Sequence, residues 1–408
     1  EFDLIQAIGR DTRNDGYSIR FIDDNPLLPP NNEYRFLEQD HLETVFGEGS
    51  SSSDGKSYLA IISLDGNAMG VKVGKFFGQT FKSNEDFIHK YKNFTDEIDG
   101  AYTQAFQETI HYIMEKYDVW AEDFYGEEHK DDWKNLIPIR PIIASGDDVS
   151  FITYGKLGIE VAKTFLQNLQ KKTISIGEGD DRPTYPFEAC AGVAIIRHRY
   201  PFWLGFQLAD NLCSHAKKRL KNDEAKWKEK GLEGEHGLPY DTSLIDWHIV
   251  STTDMAEDIA SYREQFYENT DGSMLTMRPY YIQNESAHKK HFASYDDAFK
   301  RIAWKALQQT EANEKANRDK SEVPSMAKWK NLREVYHEGK RAVRQWQILN
   351  RFSPSRDFDT MDDLFYHYRD GFGLLNEPQA EDGQAVATYY DAIEIYDYFI
   401  DLSGREEA

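Results

Sequence analysis

The sequence predicts an α+β fold, in which an alternating unit of strands and helices is followed by a mainly helical half. Three observations predict it. An apolar, β-branched run, Tyr58-Leu-Ala-Ile-Ile-Ser-Leu64, has strand length and ends at Asp65-Gly66. Two further runs, 139–144 and 149–154, flank a tight Ser-Gly-Asp-Asp turn, as a β-hairpin does. Beyond residue 256, apolar residues recur at helical spacing instead.

The chain has 408 residues, enough for two or three folding units at roughly 150 residues each. Residues 47–56, GEGSSSSDGK, have linker composition and set off an N-terminal segment, 1–56. The alternating unit then occupies 57–255 and the helical half 256–408. After the first strand, Ser83 is a plausible helix N-cap. Ile98, Tyr102, Ala105, Phe106, Ile110, Ile113 and Met114 then recur at helical spacing up to residue 117, giving one or two long amphipathic helices. Residues 121–135 read as a polar, acidic insertion before the hairpin. A helix follows over 159–171, a strand over 187–196, and a helix in which Leu204, Leu208, Leu212 and Ala216 repeat every four residues. A last strand is expected over 244–250, then helices over 298–307, 329–349 and 389–402. The polar stretch 308–322 reads as a solvated helix or loop.

Composition narrows the function. Asp plus Glu total 71 against 48 Lys plus Arg, a net charge of −23, so a polyanion is repelled unless it meets a local basic patch. Cys190 and Cys213 are the only cysteines and lack CxxC spacing, which excludes a zinc ribbon and a disulfide framework and points to a reducing, cytoplasmic setting. The first twenty residues carry no basic-then-apolar signal pattern, and no run approaches the ~20 apolar residues of a membrane span.

The chemistry lies at the strand ends. Asp65, Asp147 and Asp148 come within a few Å of one another if the first strand lies beside the hairpin, because paired strands are ~4.8 Å apart. A cluster so negative needs a cation, and Mg²⁺ or Mn²⁺ bound to a nucleoside triphosphate suits it: such ions take one or two carboxylates and complete their shell with phosphate oxygens and water. Gly66, Gly146 and Gly70 clear side chains from the backbone where a nucleotide must approach. Either motif alone reads as an ordinary turn; the two together, in this strand order, read as a site for in-line phosphoryl chemistry.

Three stretches carry a family likeness: Leu64-Asp-Gly-Asn-Ala-Met-Gly70, Ser145-Gly-Asp-Asp148, and Ala191-Gly-Val-Ala-Ile-Ile-Arg-His-Arg-Tyr-Pro201 followed by Ala216-Lys217. Together they resemble the palm domain of type III CRISPR large subunits, a family related to GGDEF diguanylate cyclases. The likeness covers roughly residues 58–250 and extends more weakly to Ile245-Asp-Trp-His-Ile249 and Arg278-Pro-Tyr280. It implies a ferredoxin-like βααββαβ palm that uses ATP and makes a cyclic oligoadenylate. It also implies Asp65, Asp147, Asp148 and the Gly66 backbone at the metal. Ser145, Gly146, Asn67 and Gly70 would lie at the nucleotide, and Lys217, with Lys218 as substitute, at the triphosphate. Asn67 stands where a second acidic residue is common, and Ser145 where glycine is usual. No His-Asp dipeptide occurs among the 12 histidines, and paired CxxC motifs are missing, so the nuclease and zinc modules of many large subunits are not expected. A single palm implies a homodimer or a second palm-bearing partner; Tyr17-Ser-Ile-Arg-Phe-Ile22 is the one segment that suggests a remnant of another palm.

Other signals read more simply. Gly70-Val-Lys-Val-Gly-Lys75 has the wrong spacing for a P-loop and Phe76 where Ser or Thr is needed. His198 and His215 stand without a second ligand at helical spacing. Lys328, Lys330, Arg333, Lys340, Arg341, Arg344 and Arg351, interleaved with Trp329 and Trp346, read as a solvated amphipathic helix with tryptophan anchors. The alternative is a surface for RNA or protein on a catalytically silent palm scaffold. A diguanylate cyclase fits less well, because the turn ends Asp-Asp rather than Glu-Phe.

Overall fold

A computed structural model describes residues 27–29, 34–36, 41, 45, 58–177, 182–229, 243–250, 259–282, 295–315, 324–350, 365–369, 372–375 and 385–403. Residues 17–22, the Gly/Ser stretch 47–56 and Arg351 lie outside them. The fold is mixed α+β and is built on a six-stranded sheet. Its central strand, β1 (Tyr58–Gly66), is followed by helices α1 (Met69–Phe77), α2 (Asn84–Glu115) and α3 (Tyr117–Tyr125), then by the hairpin β2 (Ile139–Ser145) and β3 (Asp148–Tyr154). Next come α4 (Gly158–Leu169), a small hairpin of β4 (Thr173–Ser175) and β5 (Thr184–Pro186), strand β6 (Ala189–Arg197), helix α5 (Phe202–Glu229) and strand β7 (Ser243–Ile249). Helix α6 (Ile259–Phe266) leads to β8 (Tyr280–Ile282), and the sheet order is β8-β7-β6-β1-β3-β2. β1 runs antiparallel to both neighbours, while β6 and β7 run parallel.

Alternation along the strands explains the layers. Ala60, Ile62 and Leu64 join a cluster with Phe106, Ile110 and Phe165 of α2 and α4, whereas Ile61 joins Leu208, Ala209 and Leu212 of α5. β1 therefore buries both faces, which is why its sequence is a nearly continuous apolar run. Ser83 caps α2 as expected, its hydroxyl accepting from the Asp86 N–H at 3.2 Å. α5 sits unusually close to β6, since a Cβ on Gly192 would stand 2.0 Å from the Ala209 carbonyl oxygen. Pro141, which has no N–H, falls on the edge strand β2 next to a register shift.

Several elements differ from the sequence reading. The first residues of the expected polar insertion, 121–125, are the second half of α3, which buries Trp120, Ala121, Phe124 and Tyr125 between its acidic residues. The helix expected over 329–349 breaks at Gly339 into α8 (Met326–His337) and α9 (Lys340–Leu349), with α7 (Lys305–Lys315) preceding them. A π-helical stretch, Tyr295–Trp304, stands where an α-helix was expected. The C-terminal half also carries strands: β9 (Phe365–Arg369) lies between β10 (Phe372–Leu375) and β11 (Ala385–Ala387). The final helix is short, α10 (Tyr390–Ile395), and is followed by a 3₁₀ turn. One hydrophobic cluster runs from β1 through Trp247, Tyr280 and Phe299 to Trp329 and Ile395. No helix among the described residues is long and apolar enough to cross a membrane.

Candidate active site

The pairing of β1 with both β3 and β6 brings the acidic residues together. Asp65 is the register partner of Asp148 on one side and of Cys190 on the other. Asp147 lies in the two-residue loop of the β2–β3 hairpin, and its carbonyl accepts the Gly66 N–H at 3.3 Å. The loop requires Gly146, whose φ of +60° at the first central position suits a primed hairpin turn. Ser145 pairs with Asp148 across its base. The side chain of Asp65 is 54% exposed, so its carboxylate faces solvent at the strand end.

The glycines act differently from one another. A Cβ on Gly66 would stand 2.6 Å from the Tyr102 hydroxyl and 2.9 Å from both Asp147 Cβ and Met69 Cγ. The protein's own packing, rather than an approaching ligand, uses the missing side chain there. At Gly146 and Gly70 a Cβ would meet nothing within 4 Å, which leaves both positions open. Asn67 is buried and donates its backbone N–H to the Glu188 carbonyl at 2.7 Å. Ala68 then takes a left-handed φ of 53°, and α1 begins without a side-chain cap.

Lys217 reaches the site from α5. Its ammonium donates to the Gly66 carbonyl at 2.9 Å and stands 2.5 Å from Asp65 Oδ2. Lys218, the expected substitute, is exposed, and it is Lys217 that makes these contacts. A second lysine, Lys72, is buried on α1 and donates to the Asn67 carbonyl at 3.2 Å. Burial raises the Asp147 carboxyl above its ordinary range and the charge of Asp65 adds to this, while Lys217 and Lys72 pull it back. Asp148 is raised as well, by burial and then by Asp65, Asp147 and Asp210.

Two residues were not singled out by sequence. Asp210 precedes Lys217 by seven residues on α5, two turns along one face, and spacing alone could have found it. Tyr102 belongs to the expected core stripe, yet its hydroxyl lies at the acidic turn. Burial, followed by the charges of Asp147, Asp65 and Glu188, keeps the phenol protonated far above its ordinary range. A narrow crevice opens beside the turn, lined by Tyr102, Thr103, Ala144, Gly146 and Val149. A larger cleft lies between α1, α2 and the β4–β5 hairpin, and none of the expected site residues lines it.

Among the described residues, no group of three or more His, Cys, Asp or Glu side chains is arranged to hold a metal ion. The oxygen donors Asp65, Asp147 and Asp148 still suit a hard divalent cation that uses one or two carboxylates and completes its shell with phosphate and water. His215 contributes elsewhere. Its Nδ1 lies 2.8 Å from Asp246, which Arg263 grips with two hydrogen bonds of 2.8 Å. Burial pushes the Asp246 carboxyl up, but Arg263 and His215 outweigh it and hold the group below the usual range. On α8 and α9, Trp329 and Trp346 are buried while Lys328, Lys330, Arg333, Lys340, Arg341 and Arg344 are exposed, so the tryptophans anchor the helices.

No protein-family description matches the chain. No curated protein matches it either. Among solved structures, a chain from the cryo-EM structure of type III-B Cmr-beta in the apo state aligns at 12% identity with a TM-score of 0.24, over 86% of this chain. The alignment spans 39% of that chain's length. This is a weak structural likeness.

Proposed function

We propose that the chain is a palm-type, metal-dependent nucleotidyltransferase that joins ATP, or another nucleoside triphosphate, into a cyclic oligonucleotide messenger. The observation that carries this reading is the placement of Asp65 and Asp148 as register partners, with Asp147 beside them and Lys217 reaching in. The strand order β6-β1-β3-β2, with α2 and α4 on one face, supports a ferredoxin-like palm. Bound Mg²⁺ or Mn²⁺ would neutralise the carboxylates and polarise the phosphates for attack of a 3′-hydroxyl on the α-phosphate with release of pyrophosphate. Asp65, Asp147, Asp148 and the Gly66 carbonyl would hold the metal. Lys217 would bind the triphosphate, with Ser145, Gly146, Asn67 and Gly70 bordering the nucleotide. Tyr102, held protonated, stands buried beside the turn that carries Asp147. The cytoplasmic, CRISPR-like antiviral setting and the second palm, in a homodimer or a partner, rest on the family resemblance.

The test is incubation of the protein with labelled ATP and Mn²⁺, beside Asp65→Ala and the Asp147→Ala/Asp148→Ala pair, with products resolved by mass spectrometry. Linear or cyclic oligoadenylate that vanishes in the variants is expected. Turnover equal to the parent's in those variants overturns the assignment, and product from GTP alone redirects it to a diguanylate cyclase.

A second reading, a silent palm scaffold, draws on the engagement of Asp65 by Lys217 and on the outward cations of α9. It expects RNA binding that weakens steeply with salt and is lost in a Lys340→Glu/Arg341→Glu/Arg344→Glu variant. Binding indifferent to salt or to that variant counts against it.

A further inference from the structure

The ammonium of Lys217 occupies an informative place. It lies against Asp65 Oδ2, at 2.5 Å, and against the Gly66 carbonyl oxygen, at 2.9 Å. These are two of the oxygens that the nucleotidyltransferase reading assigns to the divalent cation. A monovalent cation built into the chain therefore stands where a metal would draw its ligands. An ammonium has three donors, and these two acceptors leave one for a further oxygen. The lysine's reach is fixed by its helix: Cys213, Ala216 and Leu220 of α5 pack in one cluster with Cys190 of β6, and Gly192 lets the helix backbone approach that strand closely.

We propose that Lys217 is a resident counter-cation that competes with the divalent ion for Asp65 and Gly66 and yields only when a nucleotide's phosphates draw its ammonium away. The inference rests on the nucleotidyltransferase reading and adds a rule of assembly to it. Without nucleotide, a metal that takes Asp65 Oδ2 or the Gly66 oxygen must displace the ammonium from it and leave it beside a second positive charge, which is unfavourable at such short range. With nucleotide, phosphate oxygens accept the ammonium's hydrogen bonds, and Asp65 Oδ2 and the Gly66 oxygen are released together. Metal and nucleotide then bind with positive coupling, which acts equally in both directions. Free metal is thereby disfavoured at these two oxygens until nucleotide is present.

The experiment measures Mn²⁺ affinity directly, from the spin-resonance signal of the free ion, with and without a non-hydrolysable ATP analogue. It compares the full chain with Lys217→Gln, Lys217→Arg and Asp65→Asn. The wild type is expected to bind Mn²⁺ weakly alone and roughly tenfold or more tightly with the analogue, within the ordinary range of coupling between sites. Lys217→Gln should bind Mn²⁺ alone about tenfold more tightly than wild type and lose most of the enhancement by the analogue. Lys217→Arg, which keeps the charge, should remain weak in metal alone. Unchanged or weaker metal-only binding in Lys217→Gln, in a protein whose Asp65-dependent binding with the analogue is intact, overturns the competition and leaves the nucleotidyltransferase reading standing. Mn²⁺ binding that ignores Asp65→Asn in every condition, or no binding at all, overturns both.

Discussion

At Gly66 a single hydrogen atom separates a closed turn from a clash. The Tyr102 hydroxyl, 2.6 Å from where a Cβ would stand, belongs to a side chain only 3% exposed, so it cannot swing away. Gly66→Ala should therefore cost about 1–3 kcal/mol by overpacking and push Asp147 off its pairing with β1. Loss of turnover and a lower melting temperature are expected, and Gly66→Ala/Tyr102→Phe should recover part of the stability by removing the crowded oxygen. A single variant as stable as the parent would show that the turn has slack. A different residue-scale effect belongs to His248, buried on β7 among Arg278, Arg263, Asp246 and Glu394. Burial, then Arg278, lowers its imidazole to about 3 from an ordinary 6.5. The group is neutral in both folded and unfolded chains above pH 6.5 and has no effect on stability there. As the pH falls below 6.5, the unfolded chain takes up the proton first, so the group lowers stability by about 1.4 kcal/mol per pH unit until the pH nears 3. Urea denaturation between pH 7 and 4 should show a shallower acid slope in His248→Asn than in the parent, and equal slopes would place the acid sensitivity elsewhere.

Strand β8 meets helix α10 through charges largely taken out of water. Arg278, just before β8, is fully buried, 2.6 Å from Glu394 and 3.7 Å from Asp391, and its guanidinium lies over the rings of Trp247 and Tyr267. Asp391 also accepts the Met277 N–H and the Tyr280 hydroxyl at 2.8 Å each. Removing the arginine leaves two carboxylates stranded, so Arg278→Ala should lose about 3–5 kcal/mol, measured by chemical denaturation. Arg278→Ala/Glu394→Gln should lose less than the sum of the single changes, and strict additivity would deny the pair its coupling. None of this was legible in the sequence, because the partners lie more than a hundred residues apart and a lone arginine has no period. What was legible had a local cause. The run from Tyr58 to Leu64 had to be a buried strand, and the Gly146 turn had to close a hairpin, so Asp65, Asp147 and Asp148 fell at neighbouring strand ends. α3 escaped because Asp118, Glu122 and Asp123 alternate with the aromatic residues it buries, which hides its apolar face from a composition reading. Lys217 was placed by resemblance; only the geometry shows that it grips Asp65.

Across the whole molecule the alternating unit and the C-terminal half share one interior. Trp247 of β7 stacks on Tyr280 at 5.4 Å and meets the edge of Phe299 at the same distance. Glu160 at the start of α4 is fully buried, 2.7 Å from Lys300 and 3.1 Å from the Tyr295 hydroxyl, and 2.9 Å from its own helix's Lys163. Burial pushes its carboxyl up, yet Lys163 and Lys300 outweigh this and hold it below its ordinary range. A fragment ending at residue 255 would strip Trp247 of its stacking partners, open the edge of β7 that β8 now covers, and leave Glu160 with Lys163 as its one remaining cation among those named. Each loss alone is on the order of a few kcal/mol, and together they exceed a large part of the 5–15 kcal/mol by which domains are ordinarily stable. Residues 57–255 expressed alone should therefore show helical far-ultraviolet circular dichroism, little near-ultraviolet signal from the aromatic side chains, and association on size exclusion. A cooperative melt and a sharp monomer peak from that fragment would show instead that the two halves fold independently and that their common core forms by docking.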